Sequence, residues 1–417
     1  MDTVLLSHVK AVGFGKAPAY CDVRLDLRAG QVAQIAAPSS LPLRDNEQQI
    51  NGKSLCLTPG WVDFRAAGGL PGQEQRETLQ TLCAAATAGG FTHVQVLPDA
   101  DPPLTQATTA RWLQQQTPAP RLLPMAALTE AMTGQNLNNL LELHEAGVRA
   151  FGNGNHCLAQ SSLVIKALQY LQTCGGLLVQ FPQDPLLSAQ AQMHEGPTAT
   201  QLGLPAFAEV AQDWIVRRDL QLLAYAGGRL HFSGISTAGS IAAIRAAKAE
   251  GLAVSCDVAA YQAAFLDEDL IDFDTHKKVN PPFRDQTARA AIADGLLDGT
   301  IDLIASHHMP WDEESKKLEF DLAAFGILSL QTAAATAWQA WGQTIGIQQF
   351  IHKWTTAPRQ LLGLPLPQLD VGEPLDFTLF DPEADWTFNA TNNHSYAQNS
   401  PFLGHTLTGK IEGVFVS

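Results

Sequence analysis

The chain has little positive charge: 26 Lys and Arg stand against 41 Asp and Glu in 417 residues, a net charge of -15. Nucleic acids and anionic membrane surfaces attract basic patches, so this balance argues against both as partners. Cysteines are few, six in all, at positions 21, 56, 83, 157, 174 and 256, and none forms a C-x-x-C pair. That spacing excludes a zinc ribbon and a disulfide framework and suits a reducing cytosol. No run of about 18 uncharged apolar residues occurs, as a membrane-spanning helix would need. The N-terminal stretch MDTVLLSHVKAVGFGKAPAY has no basic region followed by a long apolar one, so no secretory signal is expected and the expected location is the cytoplasm. Nucleotide and nucleophile motifs are missing too. NGKS at 51–54 lacks the earlier glycine of a P-loop, and GISTAG has no serine in G-x-S-x-G spacing.

What is present is an ordinary soluble composition, 46% hydrophobic and 16% charged, in a chain long enough for one large barrel with an appendage. Residues 1–57 and 368–417 both alternate short apolar runs with turn residues, as in VLL at 4–6, DFTLFDP at 376–382 and KIEGVFVS at 410–417. Two β-rich ends around a different middle predict one small composite β-sandwich domain. The middle, 58–367, alternates strand-like and helix-like segments. Leu79, Leu82, Cys83 and Ala86 form an i, i+3, i+4, i+7 stripe that Gly89-Gly90 stops, and the strand candidate 92–97 follows. Further candidates lie at 61–64, 122–127, 148–151, 177–180, 230–232, 253–256 and 301–305, with a helix at 240–250 among those that follow them. Eight such units predict an α/β fold, a (β/α)8 TIM barrel whose site lies at the C-terminal strand ends.

Seven stretches carry a resemblance: TPGWVDF, GGFTHVQVLPDADP, RLHFSGISTAGS, KVNPPFR, DGTIDLIASHHMPW, FGILSLQTA and TAPRQLLGL. In order and spacing they resemble the landmarks of dihydroorotases, in the amidohydrolase superfamily, over nearly the whole chain. The resemblance implies an amidohydrolase-type barrel and a metal-activated hydroxide held by histidines and carboxylates. It also implies where those ligands fall, and each is replaced. The strand-1 histidine pair falls on Arg65 and Ala67, and the substrate arginine on Gly69. The acidic ligand after strand 4 falls on Asn153, the strand-5 histidine on Gln180, the strand-6 histidine on Gly234, and the strand-8 aspartate on His307. The family asparagine of MPNT is Asp99 and the second histidine of DHAPH is Trp311, while Asn280 is retained.

These replacements change the chemistry. Arginine has no lone pair to donate, alanine and glycine offer no side-chain ligand, and neutral amide oxygens bind zinc poorly. A two-metal site is therefore not expected, nor any cofactor. His307 is the best remaining metal candidate. Neighbours on a strand face opposite ways, so only one of His307 and His308 should look into the mouth, with Asp99 and Gln180 as co-ligands or else as a plain hydrogen-bonded histidine. His231, three positions before Gly234, should face away from the mouth, and His93, His194 and His276 should lie in loops or on the surface. Arg65 should either pair with Asp99 or Asp63 or snorkel to solvent.

Lost ligands with persisting strand and helix landmarks lead to the expectation that the chain is not an enzyme. It resembles the noncatalytic dihydroorotase-like chains that pair with aspartate carbamoyltransferase. That resemblance implies a homodimeric structural subunit of an aspartate carbamoyltransferase complex in pyrimidine biosynthesis. The alternatives are a diverged cyclic-amide hydrolase with one metal or none, and a ligand sensor that uses the emptied mouth.

Overall fold

The computed structural model describes residues 2–15, 19–116 and 119–417. Its centre is an eight-stranded parallel sheet: β1 (Trp61–Ala66), β2 (Phe91–Val96), β3 (Arg121–Ala127), β4 (Ala150–Gly152), β5 (Leu177–Gln180), β6 (Leu230–Phe232), β7 (Val254–Ala259) and β8 (Leu303–Ala305). The strands neighbour one another in chain order. β4 and β8 begin later than their sequence patterns suggest, at Ala150 and Leu303.

The barrel closes between β8 and β1. Ala66 bridges His308, and Ala67 N–H donates to His308 O at 2.7 Å. The Asp63 carboxylate sews this seam by accepting from Ser306 N (2.7 Å) and Ser306 Oγ (2.6 Å). Asp63 is thereby committed to the seam and does not pair with Arg65.

Alternate residues of each strand enter two different cores, as the two-residue period of a strand requires. Val62, Phe64, Met125, Ala150, Leu177, Val179, Leu303 and Ala305 fill the barrel interior. Val94, Val96, Leu122, Phe151, Leu178, Leu230, Phe232 and Ile304 face the helices. The expected helix spans Leu79–Ala88, capped by Thr78, and buries Leu82, Cys83 and Ala86 before Gly90 at φ +92 turns the chain. Thr237 caps the helix Ala238–Ala249 in the same way, its hydroxyl accepting from Ser240 N, a device worth about 1 kcal/mol.

Strands from both ends of the chain meet in one seven-stranded sheet. Cys56–Pro59 runs antiparallel to Asp376–Thr387, with Leu57 opposite Leu379. Leu6, Val23, Leu25, Leu57, Phe377 and Leu379 bury one face of this sheet as a separate core. Among the described residues no helix is long and apolar enough to cross a membrane.

Candidate active site

A cavity of about 370 Å³ opens at the C-terminal ends of the strands, lined among others by Arg65, Asn155, Tyr261, Asn280, His307 and Trp311. Two charged groups, Asp257 and Arg65, organise its floor.

Asp257 lies on β7, where Ser255 and Asp257 alternate with core-facing Cys256 and Val258 and so point into the barrel. Its Oδ1 accepts from Gly234 N–H (2.8 Å) and is 2.7 Å from His307 Nε2, while its Oδ2 is 3.0 Å from His231 Nε2. With its Nε2 proton given to Asp257, His231 accepts the Ser255 hydroxyl at Nδ1, 2.8 Å away. Burial pushes the Asp257 carboxyl up, but the two imidazoles more than reverse this and hold it well below the usual carboxylate range. Burial lowers the His307 pKa, against the pull of Asp257, so its imidazole is neutral near pH 7. Nε2–H donates to the carboxylate, leaving Nδ1 as a proton acceptor on a cavity-lining side chain.

Arg65 reaches the same place because β1 carries a β-bulge. Its register against β2 shifts between Asp63 and Ala66, and such a bulge re-aims the side chains that follow. The guanidinium is fully buried and donates to Ser233 Oγ (3.1 Å), Gly154 O (3.2 Å) and Asn155 Oδ1, with the Phe181 ring 5.1 Å away. Its largest attractive charge is Asp257, not the expected Asp99 or Asp63.

The other family positions fall in several places. Asn153 staples two loops, donating to Thr129 Oγ1 (2.9 Å) and accepting from Thr129 N (3.2 Å). Gln180 lies on the outward face of β5, where it bonds Asp219 Oδ2 (2.7 Å) and Leu158 N (2.9 Å). Ala67 is buried in the apolar interior. Gly69 sits at φ +60 with its N–H 3.4 Å from Asp99 Oδ1. Burial raises the Asp99 pKa against the nearby Arg76 charge. Trp311 donates Nε1–H to Phe325 O (2.8 Å), and its ring lies 3.7 Å from the Arg76 guanidinium. Asn280 lines the cavity, and its buried Oδ1 has no hydrogen-bond partner among the described residues.

Several histidine expectations are corrected. His231 points into the barrel, because Gly234 lies beyond the end of β6 at φ +80 and strand parity cannot be counted through it. His307 and His308 both line the mouth, because β8 ends at Ala305 and His307 has φ +50. His307 meets Asp257, not Asp99 or Gln180. His93 and His194 are buried; His276 alone stays partly exposed in a loop. Asp257, Ser233, Asn155 and Tyr261 had not been singled out from the sequence. An inward carboxylate at the C-terminal half of a barrel strand was the available signal for Asp257.

The metal centre implied by the family does not fit these residues. The Arg65 cation lies in the mouth, Ala67 and Gly234 offer no ligand, and Asn153 and Gln180 spend their amides elsewhere. A β-carbon at Gly234 would lie 3.0 Å from His307 Cε1, so the His307 ring fills the space a side chain there would need. His194, Glu209 and Asp285 bring ligand atoms within 4.8 Å of one another. None of the three lines the mouth, and Arg284 Nη1 lies 3.2 Å from His194 Nδ1.

An eight-stranded parallel barrel with a sheet built from both chain ends, and a site at the C-terminal strand ends, is the amidohydrolase architecture. The L-hydantoinase (dihydropyrimidinase) from Arthrobacter aurescens superposes with a TM-score of 0.81 at 20% identity, over 99% of this chain and 94% of that one. The dihydropyrimidinase from Brevibacillus agri gives 0.80 at 18%, over 98% and 92%. The Dihydro-orotase-like family model matches residues 54–240. Dihydroorotase from Geotalea daltonii is 34% identical over 93% of this chain and 92% of its own length, and that from Pelotomaculum thermopropionicum 36% over 86% and 85%. The chain belongs to the dihydroorotase-like family. These relatives overturn the expectation that it is not an enzyme: the chains it matches over most of both lengths are named dihydroorotase.

Proposed function

We propose that the chain is a diverged cyclic-amide hydrolase whose mouth works without a metal. The observation that carries this is the Asp257–His307 pair, 2.7 Å apart, bordering the same cavity as the Arg65 guanidinium. His307 Nδ1 takes a proton from water as the water oxygen bonds to the ring carbonyl carbon. Asp257 holds the imidazole and offsets the charge it gains, and Arg65 faces the negative charge growing on the carbonyl oxygen. The C–N bond then breaks and His307 returns the proton to the leaving nitrogen, so the step balances with water as the only co-reactant. Asn280 Oδ1 is the acceptor suited to a ring N–H.

The test is hydrolysis of dihydroorotate and hydantoin by chelator-treated protein. The expected result is turnover that survives chelation and falls on the order of a hundredfold or more in His307→Ala. Turnover that vanishes with chelator and returns with zinc refutes the metal-free reading, and no turnover of any cyclic amide refutes the activity itself. Separately, we carry forward as a proposal that the chain dimerises and binds the aspartate carbamoyltransferase catalytic chain. Native mass spectrometry of the complex from its host tests that association.

A further inference from the structure

A second cavity, of about 350 Å³, lies at the opposite end of the barrel. His93 and Gln95 of β2, Arg121 at the start of β3, Arg149 just before β4, and Arg359 and Asp376 line it. Leu362, Leu364 and Pro365 supply an apolar wall.

Its charge is unusual for so acidic a chain. Three guanidiniums share the lining with one carboxylate, and that carboxylate, Asp376, is already taken by Arg359 at 2.9 Å. Burial drops the His93 pKa to about 4, with Asp376 pulling the other way, so this ring does not add a charge near neutral pH. Among the described residues no carboxylate forms an ion pair with Arg121 or Arg149, although Arg149 Nη1 donates to His144 O (3.0 Å) and Val148 O (3.2 Å). Both arginines are exposed, whereas Arg359 is buried and ties Gly60 O (2.8 Å) and Pro365 O (2.9 Å) together.

Unmet hydrogen bonding converges there as well. Gln95 Oε1, Arg359 Nε and Asp376 Oδ1 are buried without a hydrogen-bond partner among the described residues, and all three side chains line this cavity. Gln95 and Arg359 are each 1% exposed. Buried polar atoms are ordinarily paired; here Arg359 Nε calls for an acceptor, while Gln95 Oε1 and Asp376 Oδ1 call for donors, which the anionic group does not supply and a ring N–H or O–H or a water would.

We propose that this cavity binds a small organic anion: one phosphate or carboxylate group held by Arg121 and Arg149, on a compact ring that lies against Leu362 and Leu364. Guanidiniums bind phosphate and carboxylate with paired N–H donors, and such a pocket is of the size that encloses small ligands. The site is separate from the barrel mouth and holds whether or not the mouth hydrolyses cyclic amides.

The experiment is calorimetric titration of the full chain with phenyl phosphate, benzoate and inorganic phosphate. The expected result is that phenyl phosphate or benzoate binds more tightly than inorganic phosphate and weakens as salt rises. Arg121→Gln/Arg149→Gln should lose at least about tenfold in affinity, and Arg121→Gln alone several-fold, with melting temperatures unchanged in the absence of ligand. His307→Ala should bind as wild type does. Equal affinity in the arginine variants, loss of binding in His307→Ala, or no binding of any of the three anions at millimolar concentration would overturn the proposal. Preference for phenyl phosphate over benzoate identifies a phosphate ligand, and the reverse a carboxylate.

Discussion

Replacing Asp257 with asparagine tests two roles of one carboxylate, holding the barrel floor and offsetting the charge that His307 gains. The asparagine side chain retains one carbonyl oxygen, which can keep the Gly234 N–H and His307 Nε2–H bonds at Oδ1. Its amide nitrogen then faces the Nε2–H of His231, a donor against a donor in a site with no water access. One hydrogen bond to a charged acceptor is lost and one buried donor is stranded, together about 3 kcal/mol. Unfolding entropy scales as about 2.1 cal/mol/K per residue, or close to 0.9 kcal/mol/K for 417 residues, so the melting temperature should drop by roughly 3 °C. Because the folded pKa lies well below the usual 3.8, the carboxylate stabilises fully above that value, and its contribution is lost as pH falls through the folded pKa. The gap between wild type and Asp257→Asn should therefore be constant from about pH 5 to 7, by the same linkage, and close in stronger acid. Cyclic-amide turnover should fall on the order of a hundredfold or more, since His307 keeps its hydrogen-bond acceptor but loses the negative charge that offsets the proton it takes up. Thermal melts across pH, paired with turnover, test both. A variant that melts with wild type at neutral pH, or that keeps its turnover, would refute the reasoning.

Asp63 should behave in the opposite sense. Burial raises its carboxyl from 3.8 to about 6 against the two Ser306 bonds. Its contribution to the fold is therefore greatest below the unfolded value, and about 3 kcal/mol is lost as pH rises through the folded one. Asp63→Asn should flatten that slope in denaturant titrations, and an unchanged slope would contradict it. Gly234→Ala places a β-carbon 3.0 Å from His307 Cε1 at φ +80. It should cost about 1–3 kcal/mol and lower kcat more than it raises KM, as read by melts and steady-state kinetics. Arg65→Met removes the donors to Ser233, Gly154 and Asn155 and strands the buried acceptors of Ser233 and Gly154. It should destabilise by about 2–4 kcal/mol in urea melts, and no loss of stability would show that those contacts are not formed in solution.

Much of the barrel was legible because its signals are local. Runs such as LLVQ at 177–180 and LHF at 230–232 coincide with strands, and the Leu79 helix carries both its stripe and its stop. The site was legible in part. Arg65, His307, Asn280 and Trp311 do line the mouth, whereas Gln180 faces the helices and Asn153 serves a loop. Parity failed where the backbone left the strand: at Gly234, and at His307 with its positive φ. Asp257 was missed because its partners lie 26 and 50 positions away along the chain.

By itself the sequence determined the alternation of strands and helices and the composite character of the two ends, and its resemblance to dihydroorotases implied that the family's metal-binding side chains are replaced. These follow from residue type and spacing, which act over a few positions. Only the tertiary structure decided what takes their place. Closing the sheet between β8 and β1 and bulging β1 bring Arg65, Asp257, His231 and His307 together at the strand ends. Their burial in common then holds the carboxylate charged and the His307 imidazole neutral.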